Sequence, residues 1–437
     1  DGDRMLINTN SPKIYSVPMP EMSADNRWYG TYRVSTFGNA EQRNAPEGYT
    51  PFMISTYCRH GIRHIDSSSV LPLIRKALEW GDSAGALTHT GASALERLRM
   101  LWPTVNLRTG DLTAGGSRQW QTYAAKITAE YPEVMAPGAK VRAQSTNVMR
   151  TARSMEAFNC AIASLTGIAD VRGDVSSSFH TFLNPYANDC PTKLPIDESL
   201  RSHDGKWYAL WRGFVERNID LEEWLARIFT TPEAASPFDA GELCAAMFTL
   251  RCAAPWLDRP ESFTELFTPE QADAMWEAEN VRQYMQKGRH PVNMGRGWQQ
   301  AGRILENIID VADSDIESGY RGLRMRFGHD GCMMALLALL DAGSWGESTS
   351  DLNRVKDIWQ TWRIPMASRL NFVFFRNDAG HVLVKVLLNG EEQHLPMPQH
   401  GRSGCYAWSD FRPYALRRVA ASLSALEVPP PLKPSHE

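Results

Sequence analysis

Several things are scarce in this sequence. Cysteine occurs only seven times in 437 residues, at Cys58, Cys160, Cys190, Cys244, Cys252, Cys332 and Cys405. No CxxC pair and no zinc-like spacing toward histidine is present, so a structural metal is a poor reading. The odd count leaves at least one thiol unpaired, and no pairing of the others is fixed by the sequence. Charge of one sign is not in excess either: 46 basic against 50 acidic side chains give a net charge of −4. That excludes a global basic field for nucleic acid or an anionic membrane, so any anion site must be local. Long apolar runs are missing. The longest, Met333 to Leu340, is far below the ~20 residues a membrane-spanning helix needs, and no signal-like stretch opens the chain. The sequence starts at Asp1 rather than Met, and a removed signal peptide is one reading of that start.

What is present is the composition of a compact globular protein, 43% hydrophobic and 22% charged. Three short apolar segments read as buried strands, Met53 to Tyr57, Lys140 to Ser145 and Leu323 to Phe327, each followed by helix-forming sequence. Strands alternating with helices predict an α/β fold, a mostly parallel sheet flanked by helices as a three-layer sandwich, with ligands at the carboxyl ends of the strands. Between 171 and 320 helical periodicity dominates. Leu221, Trp224, Leu225, Ile228 and Phe229 form one stripe behind an Asp220/Glu223 capping pair, and Ile304, Leu305, Ile308, Ile309 and Ala312 form another that would pack on the core. The division expected is therefore a core of 1–170 and 321–437 with a helical cap insertion over 171–320. Thr88 and Thr113 are suited to cap the helices that follow them. Toward the C-terminus Asn371 to Arg376, His381 to Leu388 and Glu391 to Met397 read as a meander with turns at 377–380 and at Asn389-Gly390, and Pro429-Pro430-Pro431 as an extended tail.

The stretch with most chemistry is Arg59-His60-Gly61-Ile62-Arg63, placed where a buried strand ends and a helix is expected to begin. Such a turn aims backbone N–H groups and a positive helix end at one spot, and two arginines four residues apart add forked donors for the same anion. His60, between two permanent cations, is disfavoured from protonation, and a neutral imidazole is a usable nucleophile.

Arg-His-Gly-x-Arg after the first strand resembles the signature of the histidine acid phosphatases, within the histidine phosphatase superfamily. Two later segments with the same strand-end placement resemble further motifs of that family: Ser145-Thr146-Asn147-Val148-Met149-Arg150-Thr151-Ala152-Arg153-Ser154, and Phe327-Gly328-His329-Asp330. Leu112-Thr113-Ala114-Gly115 matches a recurrent family segment, and Pro365-Met366-Ala367 and Tyr406 to Asp410 resemble secreted bacterial members. Two departures stand out. Ile65 occupies a position usually held by Pro. Asp330 follows His329 directly and Gly331 stands where the inositol polyphosphate phosphatase branch has Glu, which favours the acid phosphatase and phytase branch.

The resemblance implies a phosphomonoester hydrolase in which His60 attacks phosphorus to give a phosphohistidine and Asp330 is the proton donor. Arg59, Arg63, Arg150 and His329 would bind the phosphoryl oxygens. It implies no metal and no cofactor, a small phosphomonoester as substrate (phytate, other inositol phosphates, sugar phosphates or a broad range of organic esters), inorganic phosphate as product, and a periplasmic or secreted location. Two alternatives are carried beside it: a mutase-like member that passes the phosphoryl group to another hydroxyl, and a non-catalytic phospho-ligand binder. Nothing in the sequence specifies an oligomeric state. His64 is read as an exposed histidine in the first turn of the following helix rather than a contact for a second phosphate. Arg324 and Arg326 share one strand face and are read as pairing partners rather than pocket residues. Cys58 and Cys332 are read as inert buried thiols, and Trp207, Trp211, Trp224 and Trp298 as core.

Overall fold

The computed structural model describes residues 26–35, 37–167, 170–190, 202–293 and 297–424. The proline tail at 429–431 lies outside them. Chain order begins with β1 (Thr50–Arg59), α1 (Val70–Ser83), α2 (His89–Val105), α3 (Ala114–Glu130), β2 (Lys140–Ser145), α4 (Met149–Thr166), β3 (Val171–Val175) and a single turn α5 (His180–Leu183). Helices α6 (Lys206–Asn218), α7 (Leu221–Ile228), α8 (Ala240–Ala253), α9 (Pro269–Lys287) and α10 (Gly302–Ser318) follow. The chain then returns through β4 (Gly322–Gly328), α11 (Asp330–Leu339), the short α12 (Val355–Ile358), β5 (Arg369–Arg376), β6 (Val382–Leu388), β7 (Glu391–Glu392), β8 (Tyr406–Ala407) and α13 (Trp408–Ser424).

The sheet runs β3-β2-β4-β1-β5-β6-β7, with β8 also on β6. It is parallel from β3 to β1 and antiparallel from β1 onward. The expected meander thus extends the parallel half, and the site lies in that half. Alternation along β1 feeds two cores. Met53 and Tyr57 face α10, α11 and α13, whereas Ile54 and Cys58 face Trp120 and Tyr123 of α3 and Phe158 of α4. Removing one such fully buried aromatic costs about 3–5 kcal/mol. A third apolar cluster joins α1 and α2 to α7, α8 and Trp276 of α9 without any strand residue. Trp224 is fully buried there, and Trp207, Trp211 and Trp298 pack on the first core.

Local signals behave as their chemistry requires. Thr88 accepts from the Gly91 amide at 3.1 Å, Thr113 from the Gly116 amide at 3.0 Å and Asp220 from the Glu223 amide at 3.0 Å. Arg324 forks onto Asp315 of α10 at 2.8 and 2.6 Å, and Arg326 reaches Asn307 and Ser55, both at 2.8 Å. Three expectations change. Val171–Val175, placed by the sequence in the helical insertion, is the sheet's edge strand; it is largely exposed, so its sequence carries none of the apolar signal of an inner strand. The strand expected over Glu391 to Met397 shrinks to two residues because Pro396 and Pro398 cannot donate to a ladder. The helix expected directly after Arg63 starts only at Val70. Among the described residues no helix is long and apolar enough to cross a membrane.

Candidate active site

Parallel register brings three strand ends together. Arg59 of β1 lies opposite Gly328 of β4, and Ser145 of β2 opposite Phe327 of β4, so His60, His329 and Thr146 leave the sheet side by side. The imidazoles of His60 and His329 stand 6.0 Å apart, centre to centre, at 67°. Arg150 is in the first turn of α4 and Asp330 opens α11, so the positive ends of two helices border the same space. These take the place of the helix expected after Arg63.

That difference also changes which groups can hold an anion. The segment 61–66 is an irregular loop packed against 110–116: Arg63 bridges to Leu112, the His64 amide donates to the Asp111 carbonyl at 2.9 Å, and a Cβ on Gly61 would fall 2.5 Å from the Gly116 carbonyl oxygen. The Gly61 amide is spent on Ser154 Oγ at 3.0 Å and the Ile62 amide on Gln119 Oε1 at 2.9 Å. The backbone donors anticipated after the strand are therefore engaged, and the guanidinium groups remain. His64 is 3% exposed rather than exposed, because the loop folds it under 105–112. It borders a cavity of about 100 Å³ with Leu71, Trp102, Val105 and Leu257. Burial and then Arg108 lower its pKa.

Each proposed phosphate-binding cation is anchored. Arg59 is fully buried; its Nη1 donates to the carbonyls of Thr31 and, at 2.9 Å, Ile364, while Nη2 lies 3.3 Å from Asp330 Oδ2. Arg63 donates to the His64 carbonyl at 3.0 Å, stacks 5.3 Å from the Tyr32 ring centre and pairs with Asp66 at 3.0 Å. Arg150 is 3.8 Å from the same Asp66 oxygen. Burial and repulsion from Arg63 bring its pKa down to about 10, still a cation at neutral pH.

His60 Nδ1 lies 2.9 Å from the Gly61 carbonyl, an acceptor only, so the ring hydrogen sits on Nδ1 and Nε2 keeps its lone pair. Burial, followed by Arg59, Arg150 and Arg63, holds the pKa of His60 well below the usual histidine range. His329 is held to about 3, by burial first and Arg150 next; its Nε2 is 3.4 Å from Thr146 Oγ1. For Asp330 burial is the largest influence and pushes upward, but Arg59, Arg63, His329 and the Gly331 amide together bring the carboxyl down to about 2.

The structure thus gathers Arg59, His60, Arg63, Arg150, His329 and Asp330 at one place. Tyr57, Asp66, Gln119 and Ser154 support them and were not singled out from the sequence. Ser154 closes the second motif and Asp66 stands three residues after Arg63, so position alone could have pointed to both. Tyr57 and Gln119 carry no such signal.

A family model described as histidine phosphatase superfamily (branch 2) matches residues 203–389, a span that holds His329 and Asp330. The match takes in less than half of the chain and makes that part similar to branch 2 of the histidine phosphatase superfamily. The match agrees with the resemblance to the histidine acid phosphatases carried by the motifs. Solved structures with the same fold include the Bifidobacterium longum multiple inositol polyphosphate phosphatase in complex with inositol hexasulfate, 18% identical over 88% of this chain and 96% of that one, TM-score 0.69. The D. castellii phytase is 12% identical over 94% and 90%, TM-score 0.71. The Hafnia alvei phytase is 14% identical over 88% and 100%, TM-score 0.55. No curated protein matches the chain.

Proposed function

We propose that this protein is a histidine phosphatase that hydrolyses organic phosphomonoesters through a phosphohistidine on His60, with Asp330 as proton donor. The observation that carries the reading is a neutral, buried imidazole whose Nδ1 hydrogen is fixed on Gly61 and whose surroundings are Arg59, Arg63 and Arg150. In the first step His60 Nε2 forms a bond to phosphorus, the ester P–O bond breaks, and Asp330 gives its proton to the departing alkoxide. In the second, water attacks phosphorus, Asp330 takes its proton, and the P–N bond breaks to release inorganic phosphate. Three guanidinium groups and His329 meet the charge on the non-bridging oxygens throughout.

Asp330 is ionised in the ligand-free site because Arg59 sits beside it. A phosphoryl dianion draws on the same guanidinium, which relieves the pull on Asp330 and lets burial raise its pKa, so the donor is charged with a proton when substrate binds. A substrate entering as its monoanion brings that proton with it. Turnover is therefore expected to decline above about pH 6, where a phosphomonoester loses its second proton. Inositol and sugar phosphates are the substrate class we favour, supported by the inositol hexasulfate and phosphate held by the Bifidobacterium enzyme.

The test is phosphate release from phytate and from an aryl phosphate across pH 3 to 8. Loss of release in His60→Ala, and in Asp330→Asn a deficit smallest for the aryl ester with its better leaving group, are expected. Undiminished release by His60→Ala would overturn the reading.

A further inference from the structure

Six groups of the site have roles in the proposed chemistry, but the carboxylate of Asp66 has none, and it lies on two of the phosphate-binding cations. Its Oδ2 is 3.0 Å from Arg63 Nη2 and 3.8 Å from Arg150 Nη2. The contact is built into the backbone. Gly110 donates to the Ile65 carbonyl at 2.9 Å and has a left-handed φ of 70°. A Cβ there would lie 3.1 Å from Arg150 Nη1 and 3.6 Å from Asp66 Cβ, so glycine lets arginine and aspartate approach.

Exposure locates Asp66 relative to the reaction. The side chain of Arg59 is 0% exposed, those of Arg63 and Arg150 8% and 19%, and that of Asp66 42%. Asp66 is therefore on the solvent side of the arginines, at the rim that receives whatever the transferred phosphoryl group is attached to. With His60 and His329 neutral, three guanidinium charges face the carboxylates of Asp66 and Asp330, a net of one positive charge. The phosphoryl group of any monoester engages Arg59 and the inner arginine nitrogens. A second phosphate on a neighbouring carbon would come to the rim, where it meets Asp66 instead of an open cation.

We propose that Asp66 is a specificity-determining residue: by neutralising Arg63 and Arg150 at the rim, it disfavours esters with a second phosphate beside the scissile one and so, within the inositol and sugar phosphates favoured above, directs the enzyme to the sparsely phosphorylated members. This rests on the phosphatase reading above. Asp66 also steadies two arginines that repel one another, so a purely structural role must be separable from selectivity.

Binding separates them without turnover. Dissociation constants of inorganic phosphate and inositol hexasulfate are measured by calorimetry for the parent, Asp66→Asn, Asp66→Ser and Asp66→Glu. A charge removed several ångströms from each added anion predicts that Asp66→Asn tightens hexasulfate about tenfold and phosphate by no more than about threefold. The gain shrinks at high salt, and Asp66→Glu keeps the parent's ratio. In turnover, the ratio of kcat/KM for phytate to that for an aryl phosphate rises by the same factor, carried by KM. An equal change for both probes, or weaker binding of both, shows positioning alone and overturns the proposal. If the parent binds neither probe, both readings fall. A shifted binding ratio without phosphate release would retain Asp66 and discard hydrolysis, whereas His60-dependent release with an unmoved ratio would do the reverse.

Discussion

Tyr57 offers a severe test of how the site is held. It is fully buried on β1, its Oη donates to the Leu183 carbonyl at 2.6 Å and accepts from the His329 amide at 3.2 Å. One hydroxyl therefore ties α5 to the strand end that carries His329 and Asp330. Gly328 makes the geometry possible, since a Cβ there would lie 2.2 Å from the same oxygen. Tyr57→Phe keeps the ring and opens no cavity for it, but strands a buried amide and a buried carbonyl. Each costs about 1–3 kcal/mol, so a total of about 2–6 kcal/mol is expected. Guanidinium unfolding should show a lower midpoint at unchanged slope. Because the His329–Asp330 peptide also loses its anchor, kcat for an aryl phosphate should fall about 10- to 100-fold, a size typical of ångström-scale misplacement. A stability loss below about 0.5 kcal/mol with kcat intact would refute the argument that this hydroxyl positions the pair.

Two further outcomes follow from charge burial. His329 has its pKa lowered to about 3 in the folded protein against an ordinary 6.5, so it contributes stability that is fully present above pH 6.5 and is lost as pH falls toward 3, where the unfolded chain has already bound its proton. Denaturation midpoints should therefore drop more steeply over that window in the parent than in His329→Asn; parallel slopes would contradict it. Glu41 pairs with Arg369 at 2.7 Å, each about 1% exposed, and its loss leaves that guanidinium buried without its counter-charge. Glu41→Gln should cost about 3–5 kcal/mol by chemical denaturation, and a cost below about 1 kcal/mol would show that Arg369 is satisfied by other means.

The site was legible in the sequence where chemistry and strand ends coincide. Arg59-His60, Arg150 and His329-Asp330 each follow an apolar run that terminates in the sheet, and parallel register then does the gathering. Illegible were the groups whose role depends on a loop's path. His64 is buried because 61–66 packs under 110–116 through the Gly61–Gly116 approach, which the periodicity of the flanking residues does not encode. Asp66 and Tyr57 likewise acquire meaning only from partners 84 and 126 positions away, Arg150 and Leu183. Edge strand β3 was missed for the opposite reason, since exposure frees it from any apolar pattern.

The tether of Arg59 to the carbonyls of Thr31 and Ile364 has a consequence for biosynthesis. A chain emerging from the ribosome presents the Arg59-His60 pair early, yet the guanidinium cannot be fixed until residue 364 has been made and has docked. The His60 carbonyl likewise waits for the amide of Ala367, 2.9 Å away in the finished protein. Contacts spanning three hundred residues form late in folding, after local helices and hairpins. The surroundings of His60 are thus a late product of translation, and truncated or stalled chains that already contain every proposed reacting residue should lack an assembled centre.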